Sequence, residues 1–434
     1  SDLKTQNMHE IDLLIYHNPV NRFSVAYLLY ILEKRMQADR FALHYFDTPA
    51  ALEKILSTIG GAARPRILMF SFMTSILDSV LANMEALTRL ASGDKSALKN
   101  ALVIAGGPHA TGDAESAAGL GFDLVFKGEG EYLWPDFLQL ASEYRAAPDF
   151  REKVLSHYPA RIVTDPRPVS LDMYQPFGTL YSLTPPLEIM RGCFYNCRFC
   201  QTATCDVKYR SLESAEQYFA EYQRRRYKRL SFICPSAFHY AADSPSALNP
   251  AAIEAMLESA SAKYGIGYIE YGIFPSESRP ETITDETAAL VKKYCRNKRL
   301  SVGAQSGDAA RIKELRRGHG LDAVRTACET LRRHGLTAVV DFIFGFPDET
   351  EEEQMATLAA AKELHTRFGS HIQTHYFIPL PGTPLYSARP AVLTHKAVTV
   401  LEKYSAGGIC NNWYREGLGQ SERICRILDA FKKN

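Results

Sequence analysis

Short β-rich runs alternate with helix-length amphipathic segments along most of this chain of 434 residues. This alternation indicates βαβ units on parallel sheets, because two parallel strands need a long crossover connection, usually a helix. A chain of this length exceeds one ordinary core, and its hydrophobic content of 46% supports more than one. The sequence therefore predicts an α/β protein with two large domains and an appendage.

The amino-terminal part, residues 1–145, predicts an open, doubly wound sheet of the Rossmann type. Its candidate strands and helices are Ile11–Tyr16, Phe41–Phe46, Arg66–Phe72, Ala101–Ala105 and Leu124–Phe126, with helices at 23–36, 49–58, 76–92 and 131–144. Ligands of such sheets bind beyond the carboxyl ends of the strands. Two of these ends carry glycines, in Gly106-Gly107-Pro108-His109 and Gly128-Glu129-Gly130-Glu131. Such positions let the backbone approach a large ligand closely.

A proline-rich stretch of weak periodicity, residues 146–185, predicts a linker. Six more candidate strands follow it, near 187–190, 229–233, 268–272, 300–302, 338–344 and 372–377. Helix-length segments separate them, so residues 186–385 predict a partial (β/α)6 barrel with its active site at the carboxyl ends of the strands. Residues 386–434 form a predicted C-terminal extension.

Three cysteines come directly after the first barrel strand. Cys193, Cys197 and Cys200 lie close enough in sequence for one loop to offer three thiolates to one metal centre. Structural zinc takes four protein ligands, whereas an iron–sulfur cluster takes cysteine thiolates and can leave one iron free for a substrate. The spacing alone leaves both sites open. A zinc ion could find its fourth ligand elsewhere in the chain, at His239, Cys205 or Cys234.

The run RGCFYNCRFC resembles the CxxxCxxC signature of the radical SAM superfamily. Further blocks follow at the predicted strand ends in the order typical of that superfamily: CPSAFHY, FPSESR, GAQSG, RRGH, FGFP and PLPGTP. The blocks look most like a little-characterised group that places a cobalamin-binding-like domain ahead of this core. The resemblance implies a [4Fe-4S] cluster held by the three cysteines, with S-adenosylmethionine (SAM) chelated to its open iron.

The resemblance also implies which barrel residues contact SAM. The block after the second strand would bind its methionine amino group, and the Gln-Ser pair its ribose and carboxylate. An arginine is suited to the carboxylate because it can pair with it through two hydrogen bonds. An apolar strand end would receive the adenine. The implied cofactor-binding residues are Phe199, Pro235, Ser236, Phe238, Glu277, Gln305, Ser306, Arg316, Arg317 and Phe344.

The two glycine blocks of the amino-terminal part look like those of cobalamin-binding domains. By this resemblance Gly106, Gly107, Gly128 and Glu129 would line a cobalamin site. One departure is that the Asp-x-His-x-x-Gly motif, which supplies a histidine to cobalt in some of these domains, is absent from the first loop. His17 follows the first strand without that pattern, so no axial histidine is assigned. A domain that keeps this fold and has lost the cofactor remains an alternative.

Three functions are compatible with this sequence. The first is transfer of a SAM-derived carbon group, most simply a methyl group carried by cobalamin, to a small molecule. The second dispenses with cobalamin and transfers a 3-amino-3-carboxypropyl group to a soft nucleophile such as trivalent arsenic. Thiols suit soft centres, and the candidates near the substrate are Cys205, Cys234 and Cys410. The third is a zinc-stabilised binding protein without catalytic activity.

Charge and cysteine content limit which binding partners and which cellular location we expect. A formal net charge of +1 offers no long-range field for nucleic acid or an anionic membrane, so neither is expected as a partner. No signal peptide and no apolar run of about 18 residues is found, and nine cysteines, an odd number, do not suggest a disulfide framework. We therefore expect a cytoplasmic enzyme that receives electrons from a flavodoxin or ferredoxin.

Overall fold

The computed structural model describes residues 9–59, 64–93, 98–175 and 177–431. Contacts within the chain divide it into two compact units. The described parts of Ser1–Val169, Tyr174–Pro185 and Arg426–Asn434 form the first unit, and Ser170–Met173 with Pro186–Cys425 forms the second. Where the predicted domains and linker extend over residues 1–8, 60–63, 94–97, 176 and 432–434, they lie outside the described residues.

The first unit is built on one six-stranded parallel sheet. Its strands and helices are β1 (Ile11–Tyr16), α1 (Arg22–Arg35), β2 (Phe41–Phe46), α2 (Pro49–Thr58), β3 (Arg66–Ser71), α3 (Leu77–Gly93), β4 (Ala101–Gly106), α4 (Pro108–Gly112), α5 (Ala114–Gly119), β5 (Leu124–Phe126), α6 (Gly130–Glu143), α7 (Phe150–Leu155) and β6 (Ile162–Val163). The strand order is β2-β1-β3-β4-β5-β6, and all neighbours are parallel. This is the predicted open, doubly wound sheet.

Strands β1 and β3 occupy the middle of this sheet and are buried along their whole length. Helices cover both faces of a parallel sheet, which is why these strands read as continuous apolar runs. The five strands predicted from the sequence are confirmed to within one residue at their ends. The sequence prediction missed the short helices α4, α5 and α7 and the two-residue strand β6. Both α7 and β6 lie within the stretch that the sequence predicts as a linker.

The second unit carries the strands of the predicted barrel. Its strands and helices are β7 (Leu187–Glu188), β8 (Met190–Arg191), β9 (Lys208–Tyr209), α8 (Leu212–Arg224), β10 (Leu230–Ile233), α9 (Pro250–Tyr264), β11 (Ile269–Glu270), α10 (Asp285–Tyr294), β12 (Arg299–Gln305), α11 (Ala309–Glu314), α12 (Leu321–Arg333), β13 (Thr337–Phe344), α13 (Glu351–Phe368), β14 (His371–Tyr376), α14 (His395–Ala406) and α15 (Trp413–Phe431), of which α15 extends into the first unit.

Two three-stranded parallel sheets, β11-β10-β7 and β12-β13-β14, form the barrel wall. A parallel bridge between Ser278 and Val302 joins them, together with the hydrogen bond from the Ser301 N–H to the Gly272 carbonyl (2.8 Å). The six predicted barrel strands are therefore present in the predicted order, as a partial (β/α)6 barrel.

The first barrel strand was predicted as one run, 187–190, but the structure divides it into β7 and β8. The Ile189 N–H donates to the Ile233 carbonyl (3.0 Å), but the next two residues turn away and pair antiparallel with β9. The chain leaves the sheet here because it enters the cysteine loop, which the β8–β9 ribbon brackets.

The predicted C-terminal extension contains helices α14 and α15. The Thr394 side chain caps α14 by accepting from the Ala397 N–H (3.2 Å). None of the helices in the described part of the chain is both long and apolar enough to cross a bilayer.

Candidate functional site

The cysteine loop begins with a glycine that no other residue can replace without strain. Gly192 has φ +77°, and a Cβ atom there would lie 2.6 Å from the Cys205 carbonyl oxygen and against that of Asp206. The start of the loop therefore packs against the backbone of its own end. Cys205 is half-buried in this closing segment.

The rest of the loop is fastened to the carboxyl ends of the later strands. The Arg198 N–H donates to the Leu315 carbonyl (3.2 Å), and the Arg198 carbonyl accepts from the Leu385 N–H (3.3 Å). Phe199 packs on Phe346, with ring centroids 5.6 Å apart. This ring belongs to an apolar cluster formed by Leu315, Phe346, Phe377 and Leu385 with Phe199 and Ile343. Phe199, one of the implied cofactor-binding residues, thus packs on the apolar cluster that supports the cysteine loop.

The three thiols do not converge on a single point. Among the described residues, no group of three or more His, Cys, Asp or Glu side chains could hold one metal ion. Cys197 is 4% exposed, while Cys193 and Cys200 are half-buried. Burial raises the pKa of the Cys193 thiol, and the neighbouring Cys200 and Cys197 raise it further. Three separate thiols on one loop fit the donor set of a multi-iron cluster.

Two of the three candidate zinc partners, His239 and Cys234, are occupied elsewhere. The two ring nitrogens of His239 bond to the Ser236 hydroxyl (2.7 Å, Nδ1) and the Pro245 carbonyl (3.1 Å, Nε2). Cys234 is fully buried and donates to the Ser236 carbonyl (3.3 Å), and burial raises the pKa of its thiol far above the usual range. Neither side chain is free to serve as a fourth ligand without rearrangement.

Two carboxyl groups and a histidine lie inside the barrel. Asp341 of β13 is 6% exposed and pairs with His375 of β14 (3.1 Å), and burial raises the pKa of its carboxyl. Glu277 faces this pair and keeps contact with solvent, yet protein surrounds it closely enough for burial to raise its pKa to about 7. Asp341 adds to that rise, while His375 and Arg317 oppose it. The sequence prediction named Glu277 but missed Asp341 and His375.

Predicted SAM-binding residues from β12 onward meet at the same place. Gln305 is 7% exposed and has φ +73°, a strained backbone for a residue with a side chain. A Cβ at Gly303 would lie 2.6 Å from the Gln305 Nε2 and 3.0 Å from the Arg317 Nη2. Arg317 also reaches Cys197, with its Nη1 3.5 Å from the sulfur. Gln305, Arg317 and the cysteine loop therefore share one space.

Other predicted cofactor residues are placed less directly. Arg316 is exposed, and its carbonyl, rather than its guanidinium, is 3.9 Å from the Cys197 sulfur. The Ser306 hydroxyl accepts from the Asp308 N–H (3.2 Å) and lies 3.4 Å from the Thr357 hydroxyl. The Ser236 hydroxyl bonds to His239, Phe238 is fully buried against Tyr271, and Pro235 is half-buried.

The structure places two further predicted site residues, Phe344 and Cys410. Phe344 was expected at an adenine-binding edge, but strand alternation puts it on the opposite face from Asp341 and Ile343, and it is 1% exposed. Cys410 was expected near the substrate. It instead bridges to Ile372, the second residue of β14, so it lies toward the amino end of that strand, away from the barrel mouth.

The carboxyl edge of the first unit can accept a large ligand at its glycines. Gly128 has φ +104°, and a Cβ there would meet no atom within 4 Å, so the space above it is open. Glu129 follows it immediately before α6. Gly107 has φ +91°, and a Cβ there would lie 2.7 Å from the Phe72 backbone nitrogen. A Cβ at Gly106 would find ordinary room, 3.9 Å from Phe126. The open space at Gly128 fits the predicted cobalamin site.

Each histidine at this edge bonds through one ring nitrogen, and the His109 Nε2 has no hydrogen-bond partner among the described residues. The His17 Nε2 bonds to the Tyr181 hydroxyl (2.6 Å), within the same unit. His109 is fully buried, its Nδ1 bonds to the Thr74 hydroxyl (3.0 Å), and burial lowers its pKa to about 4. No axial histidine is assigned.

Comparison with known families gives two matches along the chain. Residues 187–361 match the radical SAM superfamily, and residues 27–138 match the B12 binding domain. The first match covers the cysteine loop and strands β7 to β13. The second covers strands β2 to β5 and both glycine blocks.

Two curated relatives are named as methyltransferases. An uncharacterized methyltransferase of Pyrococcus horikoshii is 27% identical over 319 residues, 67% of this chain and 64% of the relative. The bacteriochlorophyllide d C-12(1)-methyltransferase of Chlorobaculum tepidum is 25% identical over 306 residues, 68% of this chain and 61% of the relative. The chain thus spans somewhat less than two thirds of the length of these relatives.

Solved structures share the fold at low sequence identity. The radical S-adenosylmethionine methyltransferase TsrM of Kitasatospora setae, with cobalamin and a [4Fe-4S] cluster bound, has a TM-score of 0.58 at 13% identity, covering 87% of this chain and 77% of TsrM. The cobalamin-dependent radical enzyme OxsB, with aqua-cobalamin bound, has a TM-score of 0.52 at 13% identity, covering 82% of this chain and 52% of OxsB. These similarities show the fold alone, an α/β architecture with a doubly wound domain ahead of a partial barrel.

Proposed function

We propose that the protein is a cobalamin-dependent methyltransferase that acts on a small molecule. Its chain matches a B12-binding domain followed by a radical SAM domain. The observation that carries the proposal is this pairing of domains, each with the residues its cofactor needs. Cys193, Cys197 and Cys200 supply three thiolates from one loop, and the open glycine edge of the first unit offers room for cobalamin.

When bound, the cluster supplies an electron for cleavage of SAM, and cobalamin carries a methyl group. The chain's own residues position the reactants and exclude water. The apolar cluster beneath Phe199 keeps solvent from one side of the thiols. The Glu277 and Asp341 carboxyls suit the positive charge of SAM, since an opposite charge stabilises a carboxylate that burial destabilises. Arg317 offers its guanidinium to the SAM carboxylate.

The structure gives less support to the alternatives considered from the sequence, and of the cysteines named for them only Cys205 stays half-buried at the end of the cysteine loop. Transfer of a 3-amino-3-carboxypropyl group to a soft centre relied on thiols near the substrate, yet Cys234 is fully buried and Cys410 lies toward the amino end of β14. A zinc-stabilised binding protein relied on a fourth ligand, and His239 and Cys234 are engaged in other hydrogen bonds. We propose an external electron donor of the flavodoxin or ferredoxin type and a cytoplasmic location, without nucleic-acid or membrane partners.

Cobalamin binding tests the proposal without requiring the substrate. Anaerobic titration of the protein with hydroxocobalamin, followed by absorbance, is expected to saturate at about one cobalamin per chain, as one B12-binding domain requires. The matched control replaces Cys193, Cys197 and Cys200 together by alanine. This variant is expected to bind cobalamin with unchanged affinity, because the glycine blocks lie in the other unit. Absence of cobalamin binding by the wild-type protein would exclude the cobalamin-dependent function.

A further inference from the structure

A buried arginine that the proposed function does not use lies beside one of the iron-ligand candidates. Arg279 follows β11 and is 5% exposed. Its Nη1 donates to the Cys197 sulfur at 3.9 Å. That sulfur belongs to a thiol in this structure and would be a thiolate when it binds iron. Cys197 thus has the guanidiniums of both Arg279 and Arg317 within hydrogen-bonding reach.

The Arg279 guanidinium is held in place by its contacts. Every polar edge of the Arg279 guanidinium is engaged: its Nε pairs with Glu281 (2.6 Å), and its Nη2 donates to the Arg317 carbonyl. Its flat face stacks on the ring of Tyr195, 3.4 Å from the centroid. Tyr195 belongs to the cysteine loop itself. These contacts hold Arg279 in place, so it cannot turn toward a SAM carboxylate without breaking several of them.

We propose that Arg279 is a positioning residue for the cluster: its fixed positive charge and its hydrogen bond stabilise the Cys197 thiolate and raise the reduction potential of the cluster. This inference depends on the proposed function, since it presupposes an iron–sulfur cluster on the cysteine loop. Hydrogen bonds to the ligand sulfurs and nearby charge are among the features by which proteins set such potentials.

The step that Arg279 influences is a one-electron reduction. An external low-potential donor of the ferredoxin or flavodoxin type loses one electron, and the cluster gains it, with no bond or proton transferred. The ligand sulfurs carry more negative charge after the electron arrives. A cation held beside Cys197 therefore stabilises the reduced form more than the oxidised form. Glu281 opposes this effect, because its carboxylate partly neutralises Arg279.

Removal of the charge of Arg279 and removal of that of Glu281 should shift the reduction potential in opposite directions, and this can be measured. Wild-type, Arg279→Gln and Glu281→Gln proteins are reconstituted anaerobically with iron and sulfide, and the cluster is titrated with dithionite and monitored by electron paramagnetic resonance (EPR). Arg279→Gln is expected to lower the ratio of reduced to oxidised cluster at a fixed potential about tenfold, a shift of about 59 mV to lower potential. Glu281→Gln is expected to shift the potential upward. Arg279→Lys, which retains the charge, is expected to restore part of the loss.

The other outcomes overturn the inference. If the residues only support the loop, both substitutions disturb it and shift the potential in the same direction. An unchanged potential in Arg279→Gln, combined with a tenfold weaker affinity for SAM, would make Arg279 a SAM ligand instead. If Arg279→Gln does not retain iron, Glu281→Gln decides alone, and a potential that does not rise contradicts the inference. A wild-type protein without any cluster signal would overturn both this inference and the proposed function.

Discussion

Replacement of Cys197 by serine is expected to abolish cluster assembly and SAM cleavage. A [4Fe-4S] site built on three thiolates has no spare ligand, and Cys197 is the most buried of the three, flanked by two guanidiniums. Iron content should fall from about four to below one per chain. Reductive cleavage of SAM should fall roughly 10³-fold or more, as expected when one member of a cooperating set is removed.

Cys328→Ala is the matched control for this substitution. Cys328 is also buried (2% exposed), but it lies within α12, where alanine is the most favourable helical residue. This variant is expected to retain iron, the EPR signal of the reduced protein and SAM cleavage. Full iron content and an unaltered EPR signal in Cys197→Ser would contradict the assignment of the cysteine loop as the cluster site.

Replacement of Gly192 by alanine is expected to disrupt the cysteine loop without touching a ligand. The positive φ of +77° costs an L-residue about 1–2 kcal/mol. The added methyl group would also collide with the backbone at Cys205 and Asp206, which cannot move aside as a side chain could. We expect a total destabilisation of about 2–4 kcal/mol and the loss of most of the iron. Thermal unfolding and iron analysis of the reconstituted protein measure both effects.

The variant Gly265→Ala distinguishes the effect of backbone strain from the effect of a methyl group that collides with neighbouring backbone. Gly265 has nearly the same φ, +76°, and a Cβ there would meet no atom within 4 Å. Its ψ of +150° lies in a backbone region that residues with a side chain rarely adopt, so this variant should show only the strain, about 1–3 kcal/mol, and should retain its iron. If the two variants prove equally stable and equally rich in iron, the close packing of Gly192 does not position the cysteines.

Local sequence patterns were sufficient to predict the elements whose residues are buried along their whole length. The apolar runs of β1 and β3 predicted their strands to within one residue, because strands buried on both faces need continuous apolar sequence. The sequence placed Cys193, Cys197 and Cys200 on one loop for a similar reason, because the three are close together in the chain. The missed strand β6 has only two residues, and its pairing with β5 is the only feature that identifies it.

Contacts that depend on the pairing of distant strands could not be predicted from the sequence. Asp341 and His375 are 34 residues apart, and the parallel pairing of β13 with β14 brings them within hydrogen-bonding distance. Neither residue belongs to a recognisable motif. Arg279 is similar, because its contact with Cys197 joins positions 82 residues apart. The position of Cys410 is a further example, since its bridge to Ile372 involves one residue pair that no local pattern indicates.

The most direct test identifies what becomes of SAM. The wild-type protein, reconstituted anaerobically and reduced with dithionite, is incubated with SAM in the presence and absence of cobalamin, and the products are separated by liquid chromatography. We predict S-adenosylhomocysteine whose formation requires cobalamin, because methyl transfer leaves that product, together with 5′-deoxyadenosine from reductive cleavage. Formation of 5′-methylthioadenosine, the product left by transfer of a 3-amino-3-carboxypropyl group, would contradict the methyltransferase proposal.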